Sequence, residues 1–148
     1  MHTRLLYARR LPLLGSVAYY LLKLLGAEVP RSVVIGEGVT LEHGGFGVVI
    51  HPRCQIGDRV KIYPGVTLGR ADIYQPIETS NFESIIIEDD VILSPGSKVL
   101  GKEGALRVGR GTVVGANAVL VNSTGPYEVW GGVPAVQIGQ RQEDRAQT

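Results

Sequence analysis

Aliphatic side chains recur at every sixth position through most of this chain. Ile35 and Leu41 open the series, Ile50, Ile56, Ile62 and Leu68 continue it, and Ile87, Leu93 and Val99, then Val108, Val114 and Leu120, complete it. Four residues after most of them stands a small or β-branched residue: Val39, Cys54, Val60, Val66, Val91, Ser97, Thr112 and Ala118. A six-residue unit makes one short strand and one turn, so three units return the chain to its starting face. One large and one small residue per unit point inward. Glycine often follows the aliphatic residue, at Gly36, Gly57, Gly69, Gly109 and Gly115, and is expected there to permit the turn between flat faces. Coils stacking at about 4.8 Å would build a prism of roughly five coils and 24 Å. The phase slips near 42–49, 69–86 and 100–107, which predicts insertions there. An antiparallel sandwich would alternate with period two and keep no sixfold register.

The start of the chain has a different rhythm. Leu14, Val17, Ala18, Leu21, Leu24 and Leu25 form a helical stripe, with Tyr20 and Leu22 widening it, and Gly26 and Pro30 end it. The run is too short for a bilayer span and is broken by Pro12 and Lys23. A helix packed on the body or on a neighbouring subunit, peripheral membrane contact through residues 1–28, and a cleaved signal after Arg4, Arg9 and Arg10 all fit this pattern. The expected organisation is a leader over 1–30, a repeat domain over 31–141 and a polar, frayed tail over 142–148.

Composition sharpens the division. Residues 1–28 hold nine of the fifteen Leu and one of the nineteen Val, whereas all eleven Ile lie beyond them. Leucine favours helix; valine and isoleucine favour a pleated surface. Glycine is 20 of 148 residues, against about 7% in ordinary proteins, but without the every-third-residue period of collagen. A formal net charge of +1 gives no nucleic-acid footprint. One cysteine excludes an internal disulfide framework, and three histidines, one at the extreme terminus, leave no zinc site.

With these hexads over most of residues 33–138, the sequence resembles the hexapeptide-repeat acyltransferases. The resemblance implies an all-β fold, a left-handed parallel β-helix with a short N-terminal helix, assembled as a homotrimer. That hand is the exception to the usual right-handed crossover. A narrower likeness lies at residues 41–50, Leu-Glu-His-Gly-Gly-Phe-Gly-Val-Val-Ile. Serine acetyltransferases carry an acidic residue and a histidine at this place, before a glycine-containing stretch and hexads like Ile56 to Gly69. The likeness implies that His43 is the catalytic base, with Glu42 beside it. The chemistry wants such a group, because a hydroxyl attacks a thioester slowly unless its proton is taken as the bond forms, and imidazole, with a reference pKa of about 6.5, suits that task. Gly44, Gly45 and Gly47 leave backbone N–H groups uncrowded near the thioester oxygen. His51 reads as a turn residue, Cys54 as an inert core thiol, and His2 receives no role.

The closing segment from Trp130 to Arg141 resembles the family's Gly-Val-Pro-Ala ending. The resemblance implies a coenzyme A groove lined by Gly115, Ala116, Gly131, Gly132 and Ala135, with Arg141 meeting a phosphate. A plain chain exit from the solenoid is the other reading. The family's Arg-His pair before the hexad at Ile87 is replaced by Asn81-Phe82-Glu83-Ser84, and the family's long N-terminal helical domain is replaced by the leader. Glu83, Asp72 and Arg70 are then the acceptor-site candidates. The expected function is a cytoplasmic O-acetyltransferase moving acetyl from acetyl-CoA to L-serine, with no metal. A sugar or polysaccharide hydroxyl is the alternative acceptor, and a non-catalytic solenoid scaffold the alternative class.

Overall fold

The computed structural model describes residues 1–142. Its body is a prism whose three faces are parallel sheets. The first face stacks Ala27–Glu28, Val48–Ile50, Thr67–Arg70, Lys98–Gly101 and Val119–Leu120. The second stacks Val34–Ile35, Cys54–Ile56, Phe82–Ile87 and Gly104–Val108. The third stacks Thr40–Leu41, Lys61–Ile62, Ile92–Leu93, Val113–Val114 and Glu128–Gly132, and ends in an antiparallel strand, Ala135–Gln140.

The sixfold pattern becomes columns of like residues. Ile50, Leu68, Val99 and Leu120 stand in one register on the first face. Ile35, Ile56, Ile87 and Val108 do so on the second, and Leu41, Ile62, Leu93, Val114 and Trp130 on the third. Every aliphatic residue of the series is buried, as are its small partners, including Ser97 and Thr112. Large apolar side chains stack level upon level, so each inner coil is packed by the coils above and below it.

Two of the expected insertions are loops: the turn Glu42–Gly45, and residues 71–81 with a short 3-10 turn at Ile77–Thr79. The slip at 100–107 is instead absorbed by lengthened strands, Lys98–Gly101 and Gly104–Val108. The first coil begins inside the expected leader, since Ala27–Glu28 pairs with Val48–Val49. Of the expected tail, residues 143–148 lie outside the described residues.

The reason for the hexad glycines differs from the expected one. Gly36, Gly57, Gly69, Gly109 and Gly115 have ordinary backbone; after four of them the left-handed residue lies two positions later, at Gly38, Arg59, Gly111 and Asn117, and Asp90 holds the same place after Glu88. Gly36, Gly57 and Gly109 are selected by proximity: a Cβ at Gly57 would meet the Asp89 side chain at 2.5 Å, and one at Gly109 would collide with the Gly125 carbonyl. The carboxylates that follow use this closeness. Asp58 accepts the Glu37 N–H at 2.8 Å, and Asp89 accepts the Asp58 N–H at 2.9 Å.

The leader contains two helices, α1 (His2–Ala8) and α2 (Gly15–Leu24). The first coil has no coil beneath it, so its backbone edge needs partners. The Tyr7 hydroxyl accepts the Val39 N–H at 2.8 Å and donates to the Gly36 carbonyl at 3.0 Å. Thr3 Oγ1 accepts the Leu41 N–H, and the fully buried Arg9 donates to the Pro30 and Val33 carbonyls. Burial, with Arg10 and Arg31 nearby, lowers the Arg9 pKa to about 10. Helix α2 buries Gly15, Ala18 and Leu22. Of the helical stripe, Ala18 is buried, whereas Leu14, Val17, Leu21 and Leu24 are exposed on this chain, so packing on the body accounts for only part of it.

Candidate active site

The three edges of the prism carry different chemistry. His43 lies on the edge joining the third face to the first, in the turn Glu42–Gly45. Its φ of 48° places it in the left-handed region, and Gly44, Gly45 and Gly47 follow at 82°, 63° and 71°. A histidine is uncommon there, and strained backbone of this kind clusters at functional sites. The run throws the turn outward and leaves the imidazole exposed, its ring centroid 6.1 Å from that of Tyr63 in the next coil.

The glycines of this turn are needed for space as well as conformation. A Cβ on Gly45 would press on the Leu41 side chain at 3.1 Å, and one on Gly44 would meet His2 and Phe46 at 3.1 Å. His2 is therefore packed against the site turn rather than loose, its ring edge-on to Phe46 at 5.5 Å. The Gly47 N–H is already bonded to the Gly26 carbonyl at 2.7 Å, so it is not an open donor for a thioester oxygen. Glu42 accepts the Thr40 hydroxyl at 2.7 Å, an anchor that holds its carboxylate at the mouth of the turn.

The same edge continues as a strip of bare backbone. Gly47, Gly65 and Gly96 lie one above another with left-handed φ; a Cβ on Gly47 would touch Gly65 at 3.5 Å, and one on Gly65 would touch Gly96 at 3.4 Å. In the fourth coil Asn117 takes this place, its side chain lying over Gly96, with Gly115 and Ala116 just before it; the Gly115 N–H donates to the Trp130 carbonyl at 2.7 Å, which brings Gly131 alongside. From His43 to Gly115 is three coils, about 14 Å. Such a strip fits an extended, hydrogen-bonding chain of the kind a pantetheine arm presents. Gly132 is open to solvent, whereas Gly131 is backed by Ile138 and Ala135 is buried beneath the closing hairpin. Gly65, Gly96 and Tyr63 were not among the sequence candidates; the signal for the two glycines is the left-handed third place after the aliphatic residue, and for Tyr63 its place one coil above His43.

Arg141 stands apart from this strip. Its guanidinium donates to the Gly111 carbonyl at 2.7 Å, on the edge joining the second face to the third. The acceptor candidates lie on the remaining edge, between the first and second faces. Asp72 is fully buried and accepts the hydroxyl of Ser80 at 2.5 Å and the amide of Gln75 at 2.8 Å. The Ser80 bond first, then Gln75 and Arg70, hold its carboxyl below the usual carboxylate range despite the burial. Arg70 donates to the Gln75 carbonyl at 3.1 Å and lies 3.7 Å from Asp72. These two residues shape the loop 71–81 from within. Glu83 is exposed at the foot of that loop. A groove of about 600 Å³ beside the loop is lined by His51, Arg70, Val49, Ile73 and Leu100. Within one chain, His43 and the loop residues occupy different edges of the first face.

Two other sequence candidates are settled by their surroundings. His51 accepts the Arg53 N–H at 3.2 Å and stacks edge-on against Phe82; burial, then Arg53 and Arg70, lower its pKa. The Cys54 thiol is buried, which pushes its pKa up to about 12 and leaves no reactive thiolate. Among the described residues no cluster of His, Cys, Asp or Glu could hold a metal ion.

The coil geometry and the glycine-lined edge define a hexapeptide-repeat solenoid, and residues 32–70 match the bacterial transferase hexapeptide (six repeats) family model. The serine acetyltransferase of Mycobacterium tuberculosis is 36% identical over 138 residues, 93% of this chain and 56% of that protein. A plasmid serine acetyltransferase of Synechococcus elongatus is 38% identical over 124 residues, 80% of this chain and 37% of that protein. Among solved structures, serine acetyltransferase from Vibrio cholerae superposes with a TM-score of 0.72 at 27% identity, covering 88% of this chain and 48% of that one. Serine acetyltransferase from Brucella abortus in complex with coenzyme A gives 0.72 at 25% identity, over 86% of this chain and 49% of that one. The chain folds as a left-handed parallel β-helix built of hexapeptide repeats, and it is similar to the hexapeptide-repeat acyltransferases, serine acetyltransferases among them. It spans about half the length of the curated relatives it matches.

Proposed function

We propose that the chain is an acetyl-CoA-dependent O-acetyltransferase with L-serine as acceptor and His43 as general base. The observation that carries this reading is the exposed imidazole, held on left-handed backbone at the head of a side-chain-free strip. The base takes the proton of the acceptor hydroxyl as its oxygen bonds to the acetyl carbonyl carbon. The thioester C–S bond breaks, the proton passes to the departing sulfur, and an O-acetyl ester and free thiol result. Proton removal of this kind is worth typically about 10²–10⁴-fold in rate. Glu42, held on Thr40, is placed to orient the acceptor or the ring. The strip of Gly47, Gly65 and Gly96 receives the pantetheine arm, with Gly115, Ala116, Asn117 and Gly132 at its far end.

A homotrimer of parallel prisms completes the site in this reading. It sets the loop edge of one copy, with Glu83 exposed and Arg70 and Asp72 holding the loop, against the His43 edge of the next. A cytoplasmic setting supplies acetyl-CoA.

One observation favours a second acceptor. Arg70, the nearest candidate to clamp a serine carboxylate, is engaged by Asp72 and Gln75. A sugar or polysaccharide hydroxyl makes no such demand. The test is thiol release from acetyl-CoA with serine and with a panel of sugars, beside calorimetry of coenzyme A binding. Release with serine supports the first reading and release with sugars alone the second. No release and no binding would favour a non-catalytic solenoid. A stable monomer by light scattering would remove the shared site.

A further inference from the structure

Helix α2 is apolar on two opposite sides, and the fold covers one of them. Gly15, Ala18 and Leu22 face the body. On the other side Leu14, Val17, Leu21 and Leu24 follow one another at helical spacing, widened by Leu13 and Tyr20, with Leu13 91% and Leu24 83% exposed. A helix apolar all round is ordinarily buried, in a protein core or in lipid. Six large apolar side chains in one contiguous face is more than a soluble surface carries by chance.

The surroundings of this face are basic. Residues 1–31 hold five of the fifteen Lys and Arg but one of the fourteen Asp and Glu, so the rest of the chain has an acidic excess. That single acid, Glu28, is paired with Lys23 at 3.0 Å. Exposed Arg10 lies in the turn between the helices, and exposed Arg31 donates to Ser16 in the first turn of α2. Neither has an acidic partner among the described residues. No helix among these residues is long and apolar enough to cross a membrane. Both helices cap the end of the prism below the first coil, so the exposed face belongs to an end of the molecule, not to a side edge.

We infer that this end docks on an anionic lipid surface, α2 lying in the interface with its Leu13–Leu24 face toward the acyl chains and Arg10 and Arg31 at the headgroups. Apolar burial combined with basic flanks is the usual basis of such binding. In the trimer proposed above, all three copies would present the face at the same end and bind together, which multiplies the affinity of one. The inference does not depend on the acetyltransferase reading.

The test is co-sedimentation with vesicles of phosphatidylglycerol and phosphatidylcholine in equal parts, and with phosphatidylcholine alone. The wild-type chain should bind the anionic vesicles more tightly than the neutral ones and lose binding in 0.5 M salt, an ionic strength at which screening exceeds physiological by about twofold in distance. A Val17→Glu/Leu24→Glu variant, altered only at exposed positions, should bind at least about tenfold more weakly. Its circular dichroism and its thiol release in vesicle-free buffer should match wild type, which separates this result from failure of the proposed activity. Absence of anionic-vesicle binding, or equal binding by the variant, would overturn the inference. Light scattering showing an assembly that doubles in mass through this face, without vesicle binding, would assign the face to a second copy and overturn it too.

Discussion

Replacing Gly57 by alanine tests why the hexads carry glycine. The added methyl group would lie 2.5 Å from the Asp89 carboxylate, 2.8 Å from its backbone nitrogen and 2.9 Å from the Glu88 carbonyl carbon. The second and third contacts are with backbone in the adjacent coil and cannot be relieved by a side-chain rotation. Overpacking of this kind costs about 1–3 kcal/mol. Displacing Asp89 also breaks its hydrogen bond to the Asp58 N–H, worth about 1 kcal/mol. The sum is about 2–4 kcal/mol, or a fall in Tm of roughly 5–12 °C for a chain of this size. Arg59→Gly is the control two positions later. It relieves a left-handed non-glycine residue, worth about 1–2 kcal/mol, and loses only a solvent-screened pair with Asp90. Thermal and urea unfolding at one protein concentration should show the first variant strongly destabilised and the second near or above wild type. A Gly57→Ala protein as stable as wild type would refute close coil approach as the reason for glycine.

Three further outcomes follow from the geometry. Tyr7→Phe removes the partner of the Val39 N–H and the Gly36 carbonyl at the first coil, and should cost about 1–3 kcal/mol in urea unfolding; an unchanged midpoint would show that the cap is dispensable. His51 titrates below its usual value when folded, so the unfolded chain takes up the proton first as pH falls. Its neutral ring therefore contributes stability that is complete above about pH 6.5 and lost as pH falls toward the folded value. His51→Gln should make the decline in Tm between pH 7 and 5 shallower, and parallel profiles would contradict this. Cys54 should resist a thiol-labelling reagent at pH 8 in the native state and react in urea; prompt native labelling would show that the coil opens there.

The repeat was legible because stacking dictates it. An inward residue such as Ile62 has Leu41 below it and Leu93 above, so its character is imposed by neighbours a whole coil away. The His43 turn was marked by the phase slip beside it together with the likeness of residues 41–50 to the serine acetyltransferase motif. Helix α1 was not legible: Thr3, Tyr7 and Arg9 serve backbone groups of another segment, and no local periodicity announces that. The stripe of α2 was legible as a helix but not as an exposed face, because Gly15 and Ala18 contribute little to a pattern of large apolar residues yet make the close contact. Asp72 read as a candidate acceptor residue from its loop, and its bonds to Ser80 and Gln75 exist only once that loop is folded. Tyr63 reaches His43 through the coil spacing, twenty positions along the chain.

The role proposed for His43, base in acetyl transfer, is open to direct measurement. The direct measurement is kcat for thiol release from acetyl-CoA, with the acceptor the wild-type chain uses, for wild type and His43→Ala. Calorimetry of coenzyme A and circular dichroism run alongside. Loss of about 10²–10⁴-fold in kcat, with the coenzyme still bound and the fold intact, is the expected result. Turnover undiminished in His43→Ala would contradict the account.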